Sequence, residues 1–237
     1  MIFILGSGRS GTNWVGEILG SHPDIRCTIE QQPMFRWATR IAVNSQEHRR
    51  LFPRLVLAYK VQAAWSAPRR YADKSHPNLW LAEALSIAFP RSVFLGVERD
   101  PFATVASMIR HKGVRSWHSS WQNLPIPNRF LGITEETAKS YDSLSLATQC
   151  ALRCKAHHDE LQRLKSALRD RMKVISYEVL TTKLDAELQN IEMFLGLEQR
   201  LVSPPVQSES MDRWLSDLSN DEISDIKAVV GFEPRNS

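Results

Sequence analysis

Arg9 stands inside a turn of glycine and hydroxyl side chains, in the run "GSGRSGTN" that starts at Gly6. Such a turn aims backbone N–H groups at an anion. Glycine lets the anion approach the main chain, and a helix that follows adds the partial positive charge of its N-terminus. Gly6 and Gly11 are five apart, as in the loop that holds nucleotide triphosphates, yet Thr12 and Asn13 stand where that loop carries its lysine and its magnesium-binding hydroxyl. A tight hold on β- and γ-phosphates is therefore not expected. A guanidinium inside the turn can instead grip a terminal anion through two parallel hydrogen bonds.

The turn works only if a strand delivers it and a helix leaves it. Residues 2–5 are apolar and read as a strand, and residues 12–21 have helical spacing that stops before Pro23. "RLVLAYKV" (54–61) is expected to be a second strand, and "PNLWLAEALSIAF" (77–89) a helix with proline at its start. "RSVFLGVERDP" (91–101) is β-rich and ends in charge, ahead of the helical "FATVASMIRH". A long amphipathic helix is expected over 143–169, then a strand "KVISY" (173–177) and a helix "DAELQNIEMFLGL" closed by Gly196. A last helix opens at Ser219, with Glu222 completing a capping box. Residues 112–140 mix Trp, Gly, Pro and polar residues without a period, and read as an irregular insertion, mobile or facing a substrate. The recurrence of strand, loop and helix predicts an α/β fold: a single P-loop-like domain over 1–237, its central parallel sheet flanked by helices.

Composition allows this. The 237 residues suffice for one well-buried α/β domain, and 24% charged with 43% hydrophobic residues is ordinary for a globular protein. A net charge of +4 suits an anionic ligand, but the basic residues are scattered and not striped, so nucleic-acid binding is not expected. Cys27, Cys150 and Cys154 are odd in number and show no metal-like grouping, which predicts reduced thiols, no metal and a cytoplasmic place. No apolar run approaches the ~18 residues that a membrane span needs. The first strand begins at Ile2, so no anchor or targeting segment is expected ahead of it and no membrane partner is expected.

"GRSGTNWVGEIL" resembles the 5′-phosphosulfate loop of sulfotransferases that use 3′-phosphoadenosine 5′-phosphosulfate (PAPS), where a basic residue precedes Ser-Gly-Thr and a tryptophan often follows. The resemblance implies that Arg9, Ser10, Gly11, Thr12 and Asn13 surround the 5′-phosphosulfate and that Trp14 stacks on the adenine. A second motif agrees. In "VFLGVERDPFATVASMIRH", Arg99 and Ser107, eight residues apart, are similar to the arginine–serine pair that binds the 3′-phosphate in that family. A guanidinium and a hydroxyl at a strand's carboxyl edge recognise a dianion. "SHPDIRC", "AFPRSVFLGVERDP", "SYEVLTTKLDAELQNIEMFLGLE" and "MDRWLSDLSNDEISDIKAVVG" also look like family segments, so only residues 36–70 and 112–140 lack a match. The Arg-Lys-Gly element that clamps the 3′-phosphate in cytosolic members is missing before Trp214. Ser208 and Arg213 are the substitutes at hand, and Tyr177 matches a tyrosine near the adenine.

The family's reaction moves a sulfuryl group from PAPS to a hydroxyl or amine of a small-molecule, carbohydrate or peptide acceptor. Charge builds on the bridging oxygen as it leaves, so cations must meet it there. The resemblance offers Arg9, and also Lys74 in "YADKSHP", for that task. The donor is already activated, and no metal is required. Two residues compete to take the acceptor's proton. Glu30 falls where the tyrosylprotein branch carries its glutamate base, and His76 resembles the histidine of the cytosolic branch. A carboxylate needs desolvation to become a useful base, whereas a histidine starts near ~6.5. Trp117 and Trp121 either face an aromatic or apolar acceptor or pin the insertion, and His111, His157 and His158 are read as helix-surface residues without a role. The rival readings are a small-molecule kinase and a nucleotide-binding module that lacks the chemistry.

Overall fold

Ile2, Phe3, Ile4 and Leu5 are all fully buried, and that dictates the layout. A strand with no polar face must be covered on both sides, the situation of a parallel sheet between helical layers. The computed structural model describes residues 1–205 and 211–231, so Ser208 lies outside the described residues. Along the chain, β1 (Ile2–Gly6) leads to α1 (Thr12–Gly20), β2 (Ile25–Ile29), α2 (Met34–Val43) and α3 (His48–Ser66). Then come β3 (Arg70–Lys74), α4 (Ala82–Ala88), β4 (Val93–Glu98), α5 (Pro101–Arg110), α6 (Lys112–Ser119) and α7 (Glu135–Ala138). The long α8 (Leu146–Leu168) precedes β5 (Met172–Ser176), α9 (Tyr177–Thr182), α10 (Leu184–Leu195), α11 (Trp214–Asp217) and α12 (Asn220–Val230).

The five strands pair in parallel in the order β2-β3-β1-β4-β5. Ile2 and Ile4 pack with Val15 and Ile18 of α1 and Leu188 and Ile191 of α10. Phe3 and Leu5 face the other way, onto Leu55 and Tyr59 of α3 and Leu161 and Leu164 of α8. The chain is thus one α/β domain with a central parallel sheet flanked by helices, as its sequence predicts. From β1 the chain crosses to β2 on one side, and from β4 to β5 on the other. Where neighbouring strands part in this way a crevice opens beyond their carboxyl ends. The turn holding Arg9 and the segment holding Arg99 border that crevice.

Several elements differ from the expectation. The segment 54–61 is no strand but the middle of α3. Its apolar residues form a continuous run, which hides a helical period: Leu51, Leu55 and Tyr59 are buried while Leu57 and Val61 are exposed. The strand that occupies its place is β3, whose "RYADK" carries charge at three of five positions and gives no β signal. Residues 77–89 form a 3-10 turn, His76–Leu81, and only then α4.

The insertion over 112–140 is also better built than its composition suggests. It contains α6 and α7, and Trp121, Phe130, Leu131, Ile133 and Tyr141 make a core of their own. Asn128 ties it down, accepting from Leu131 N at 3.0 Å and donating to the Val43 carbonyl at the end of α2 at 3.0 Å. Among the described residues no helix is long and apolar enough to cross a membrane.

Gly132 is where the insertion meets α8. It has φ +71, and a Cβ there would lie 2.3 Å from the carbonyl oxygen of Leu152. Neither the backbone angle nor a backbone oxygen can give way cheaply. Gly132→Ala is expected to cost about 2 kcal/mol or more, a fall of roughly 4 °C or more in Tm by thermal unfolding. An unchanged Tm would show that the insertion is not locked onto α8.

Candidate active site

The turn after β1 is closed on itself by Ser10, whose Oγ donates to the Ser7 carbonyl at 2.8 Å and whose N–H donates to the same oxygen at 3.3 Å. Gly6 must be glycine, because a Cβ there would sit 2.6 Å from the Val97 carbonyl of β4. Gly11, with φ +91, has Tyr177 across it, and a Cβ would come within 2.3 Å of that ring. Gly11 also caps α1, which has no side-chain hydrogen bond at its N-terminus and no acidic residue in its first turn. By contrast α5, α8 and α12 are capped by Asp100, Ser145 and Ser219. An uncapped N-terminus beside two glycines leaves N–H donors for an anion.

Around this turn the structure gathers most of the residues singled out in the sequence. Arg9 donates from Nε to Ser107 Oγ at 3.1 Å, and Arg99 donates from Nη1 to the Arg9 carbonyl at 3.2 Å. The Arg99 guanidinium lies over the Tyr177 ring, 4.5 Å from its centre. Trp14 meets Tyr177 edge-on at 5.7 Å and anchors its indole N–H on Ser203 at 3.1 Å. The two motifs, ninety-eight residues apart at Arg9 and Ser107, are therefore in direct contact. Arg9 forms no ion pair among the described residues. Thr12 is buried under the turn, and Asn13 is exposed at the start of α1. Arg213 behaves differently: its Nε lies 3.5 Å from Asp217 in its own helix segment, while Arg110 of α5 pairs with the same carboxylate, and Arg213 makes no hydrogen bond with Arg99 or Ser107.

A second cluster forms where β2 and β3 end. Ile29 is paired with Lys74, so Glu30 emerges beside it, and Glu30 N donates to the Lys74 carbonyl at 2.8 Å. Lys74 Nζ meets Glu30 Oε1 at 2.5 Å, and His76 Nδ1 meets the same oxygen at 3.0 Å. The two candidate bases are thus hydrogen-bonded to one another. Lys74 is 3% exposed in its side chain, against 34% for Glu30. Burial pushes the Glu30 carboxyl up, but the His76 hydrogen bond and the Lys74 charge outweigh it and hold the pKa down to about 2. Burial lowers the Lys74 ammonium, opposed by Glu30, and drives His76 down to about 4. Glu30 Oε2 accepts from no described residue. Arg9 and Glu30 are two of three non-glycine residues with positive φ among those described, at 77° and 48°. Such backbone strain persists where the surroundings enforce a functional geometry.

Asp73 fixes this cluster from behind, and no motif announces it. It is fully buried; Oδ1 accepts from Tyr59 Oη and Asn78 Nδ2, both at 2.9 Å, and Oδ2 from Thr28 Oγ1 at 3.1 Å. Burial raises its pKa to about 6 against those hydrogen bonds. A carboxylate one residue before a buried lysine was visible as "DK", but its partners lie on α3 and β2.

Other expectations are corrected. His157 is 1% exposed, not on the surface, with Nε2 2.9 Å from the Phe130 carbonyl. His111 is exposed at a helix end, as expected, though it has a structural task there, capping α6 by accepting from Val114 N. Trp121 is buried, donating to Asp142 at 2.7 Å with its ring on Tyr141, so it pins the insertion and faces no acceptor. Trp117 packs edge-on against Phe130.

The chain is similar to known proteins. Residues 2–200 match the family model described as "Sulfotransferase family". Over 123 residues the chain is 32% identical to a putative protein-tyrosine sulfotransferase of Caenorhabditis briggsae, covering 47% of this chain and 44% of that protein. Over 127 residues it is 35% identical to protein-tyrosine sulfotransferase 2 of Gallus gallus, covering 47% and 34%. The chain spans less than half the length of these curated relatives. A sulfotransferase domain from the curacin biosynthetic pathway shares the fold, with a TM-score of 0.64 at 16% identity over 99% of this chain and 98% of that one.

The buried rings set an acid limit. His76, His118 and His157 all have lowered pKa values, chiefly through burial, with His76 at about 4 and His118 at about 3. Below the ordinary 6.5 the unfolded chain takes up protons that the fold refuses, so their contribution to stability falls as pH drops from 6.5 towards 4. Asp73, raised from 3.8 to about 6, works the other way between those values, one group against three. Tm is expected to fall between pH 7 and pH 5. A flat or rising Tm would mean that these rings are protonated in the fold.

Proposed function

The chain belongs to the sulfotransferase family, and from that premise we propose that it transfers a sulfuryl group from PAPS to an acceptor hydroxyl, releasing adenosine 3′,5′-bisphosphate. The observation that carries the reading is the hydrogen bond from Arg9 to Ser107, with Arg99 bound to the Arg9 carbonyl. It brings two anion-binding elements together at the crevice between β1 and β4, where one nucleotide carrying two phosphates can meet both.

The residues fit this donor. The uncapped N-terminus of α1, with Thr12, Asn13 and the Arg9 guanidinium, supplies N–H and side-chain donors for the 5′-phosphosulfate, in a turn that Ser10 holds closed. Arg99 and Ser107 suit the 3′-phosphate. Trp14 and Tyr177 offer aromatic faces for the adenine beside them. When bound, PAPS brings a sulfuryl group already activated on phosphate, so the protein's task is to place cations and a base.

Lys74 is the cation nearest the base. Its ammonium is held by Glu30 and feels the charge of Arg9. As it turns towards the negative charge of the bridging oxygen, its hold on Glu30 slackens and the carboxylate becomes more basic. Glu30 then takes the acceptor's proton through Oε2, the oxygen that no described residue occupies. His76, closed in by Phe35 and Phe130, holds the carboxylate in place through Oε1. The relatives named for protein-tyrosine sulfation support a phenol as the acceptor to try first. The free thiols of Cys27, Cys150 and Cys154, each pushed up to about 12 mainly by burial, support a reducing, cytoplasmic setting.

Single-turnover transfer from sulfur-labelled PAPS to a phenol tests the reading. The wild type is expected to transfer label, Glu30→Gln to lose about 10²-fold or more in rate, and His76→Gln to lose less. No transfer to any hydroxyl acceptor would overturn the activity. A Glu30→Gln enzyme as fast as the wild type would overturn the assignment of the base.

A further inference from the structure

Arg153 is the largest fully buried side chain of the described residues, on the inward face of α8 among Cys150, Cys154 and His157. Its Nε and Nη1 meet no acceptor among the described residues, and no described carboxylate pairs with it. The ionisable neighbours whose charge could offset it are Cys150, Tyr141 and Cys154. All three are kept protonated, chiefly by burial. Burial brings Arg153 itself down only to about 10, so at neutral pH it is a buried cation without a counter-charge. That arrangement is costly unless an anion completes it.

Its place shows which anion. The guanidinium lies over the Phe130 ring at 4.5 Å, and the same ring touches His76 at 6.0 Å and His157 at 5.3 Å. Arg153 is therefore one aromatic ring away from the Glu30–Lys74–His76 cluster. His118 stands nearby in the same core, its Nδ1 2.7 Å from Tyr141 Oη and its Nε2 without a partner. With Tyr141 donating to Nδ1, the neutral ring offers Nε2–H as a further donor. His157 is different: its Nε2 donates to the Phe130 carbonyl, leaving Nδ1 as an acceptor that does not suit an anion.

We propose that Arg153, assisted by His118, is the specificity-determining anchor of the acceptor pocket, and that the acceptor is a small hydroxy compound carrying a carboxylate or similar compact oxyanion about one ring away from its hydroxyl. This rests on the sulfotransferase reading and names the substrate class of that site. Phe130 and Arg153 are fully buried, so the oxyanion reaches Arg153 as the Phe130 ring gives way, while the hydroxyl meets Glu30 on the far side. A buried guanidinium that takes two parallel hydrogen bonds selects the charged acid over its neutral amide.

The probes are 4-hydroxyphenylacetate and 4-hydroxyphenylacetamide, titrated calorimetrically into the full chain with and without saturating adenosine 3′,5′-bisphosphate. The wild type is expected to bind the acid about tenfold or more tighter than the amide. Arg153→Met should erase that preference with bisphosphate affinity unchanged, and its Tm should hold or rise because an unpaired buried charge is gone. Arg153→Lys, which keeps the charge without the fork, should keep part of the preference. Equal binding of the two probes, binding of neither, or a preference that survives Arg153→Met overturns the proposal. Failure to bind the bisphosphate counts against the donor reading alone, since the nucleotide-free titration still reads the anchor.

Discussion

Two guanidinium groups held together at the carboxyl edge of a sheet are the constraint on which the rest depends. Arg99 reaches the carbonyl of Arg9, and Arg9 reaches Ser107. Like charges this close repel, and water is partly shut out around Arg99, whose pKa burial lowers. The sheet imposes the arrangement. β1 and β4 are adjacent and parallel, Gly6 lets the strands approach at their ends, and the Arg9 backbone is held at positive φ. Glu178 and Asp100 offset part of the repulsion at Arg99, and the bisphosphorylated nucleotide proposed above would bring an anion to each arginine.

The same logic orders the second cluster. Lys74 is almost wholly buried, and a lysine there needs a carboxylate; Glu30 provides it from the neighbouring strand end. Asp73, immediately before it, points into the opposite layer and is satisfied by Tyr59, Asn78 and Thr28. One strand end thus sends Lys74 towards Glu30 and Asp73 into the layer behind it. Buried networks of this kind rigidify a site when every member is satisfied. Among the described residues Arg153 is the buried side chain within reach of the site that carries a full charge with no carboxylate beside it, which is why it speaks for the acceptor.

Much of this was legible in the sequence. Residues 2–14 have the form of a strand, a glycine turn and a helix, so the fold class follows from local pattern; that Arg99 and Ser107 belong beside Arg9 came from the resemblance, and the structure puts them in contact. The capping box at Ser219 and the stop at Gly196 likewise stand as read. Residues 54–61 misled because a continuous apolar run has no visible period, and β3 was hidden because Arg70, Asp73 and Lys74 break any apolar pattern in it. That Glu30 and His76, rivals in the sequence, touch one another was hidden for a different reason. Their contact is made by strand register, Ile29 against Lys74, which no linear spacing encodes. Arg153 carried a signal that went unused: helical spacing puts it on one face with Cys150, Cys154 and His157, a cation on an otherwise apolar stripe.

The central claim is that the two arginine elements read the two ends of one nucleotide. Calorimetric titration of the wild-type chain with adenosine 3′,5′-bisphosphate and with adenosine 5′-monophosphate, which lacks only the 3′-phosphate, tests it most directly. The bisphosphate is expected to bind about 10- to 100-fold more tightly, the worth of charge-assisted hydrogen bonds to the 3′-phosphate. Equal affinities, or a preference for ATP with magnesium over either, would contradict it.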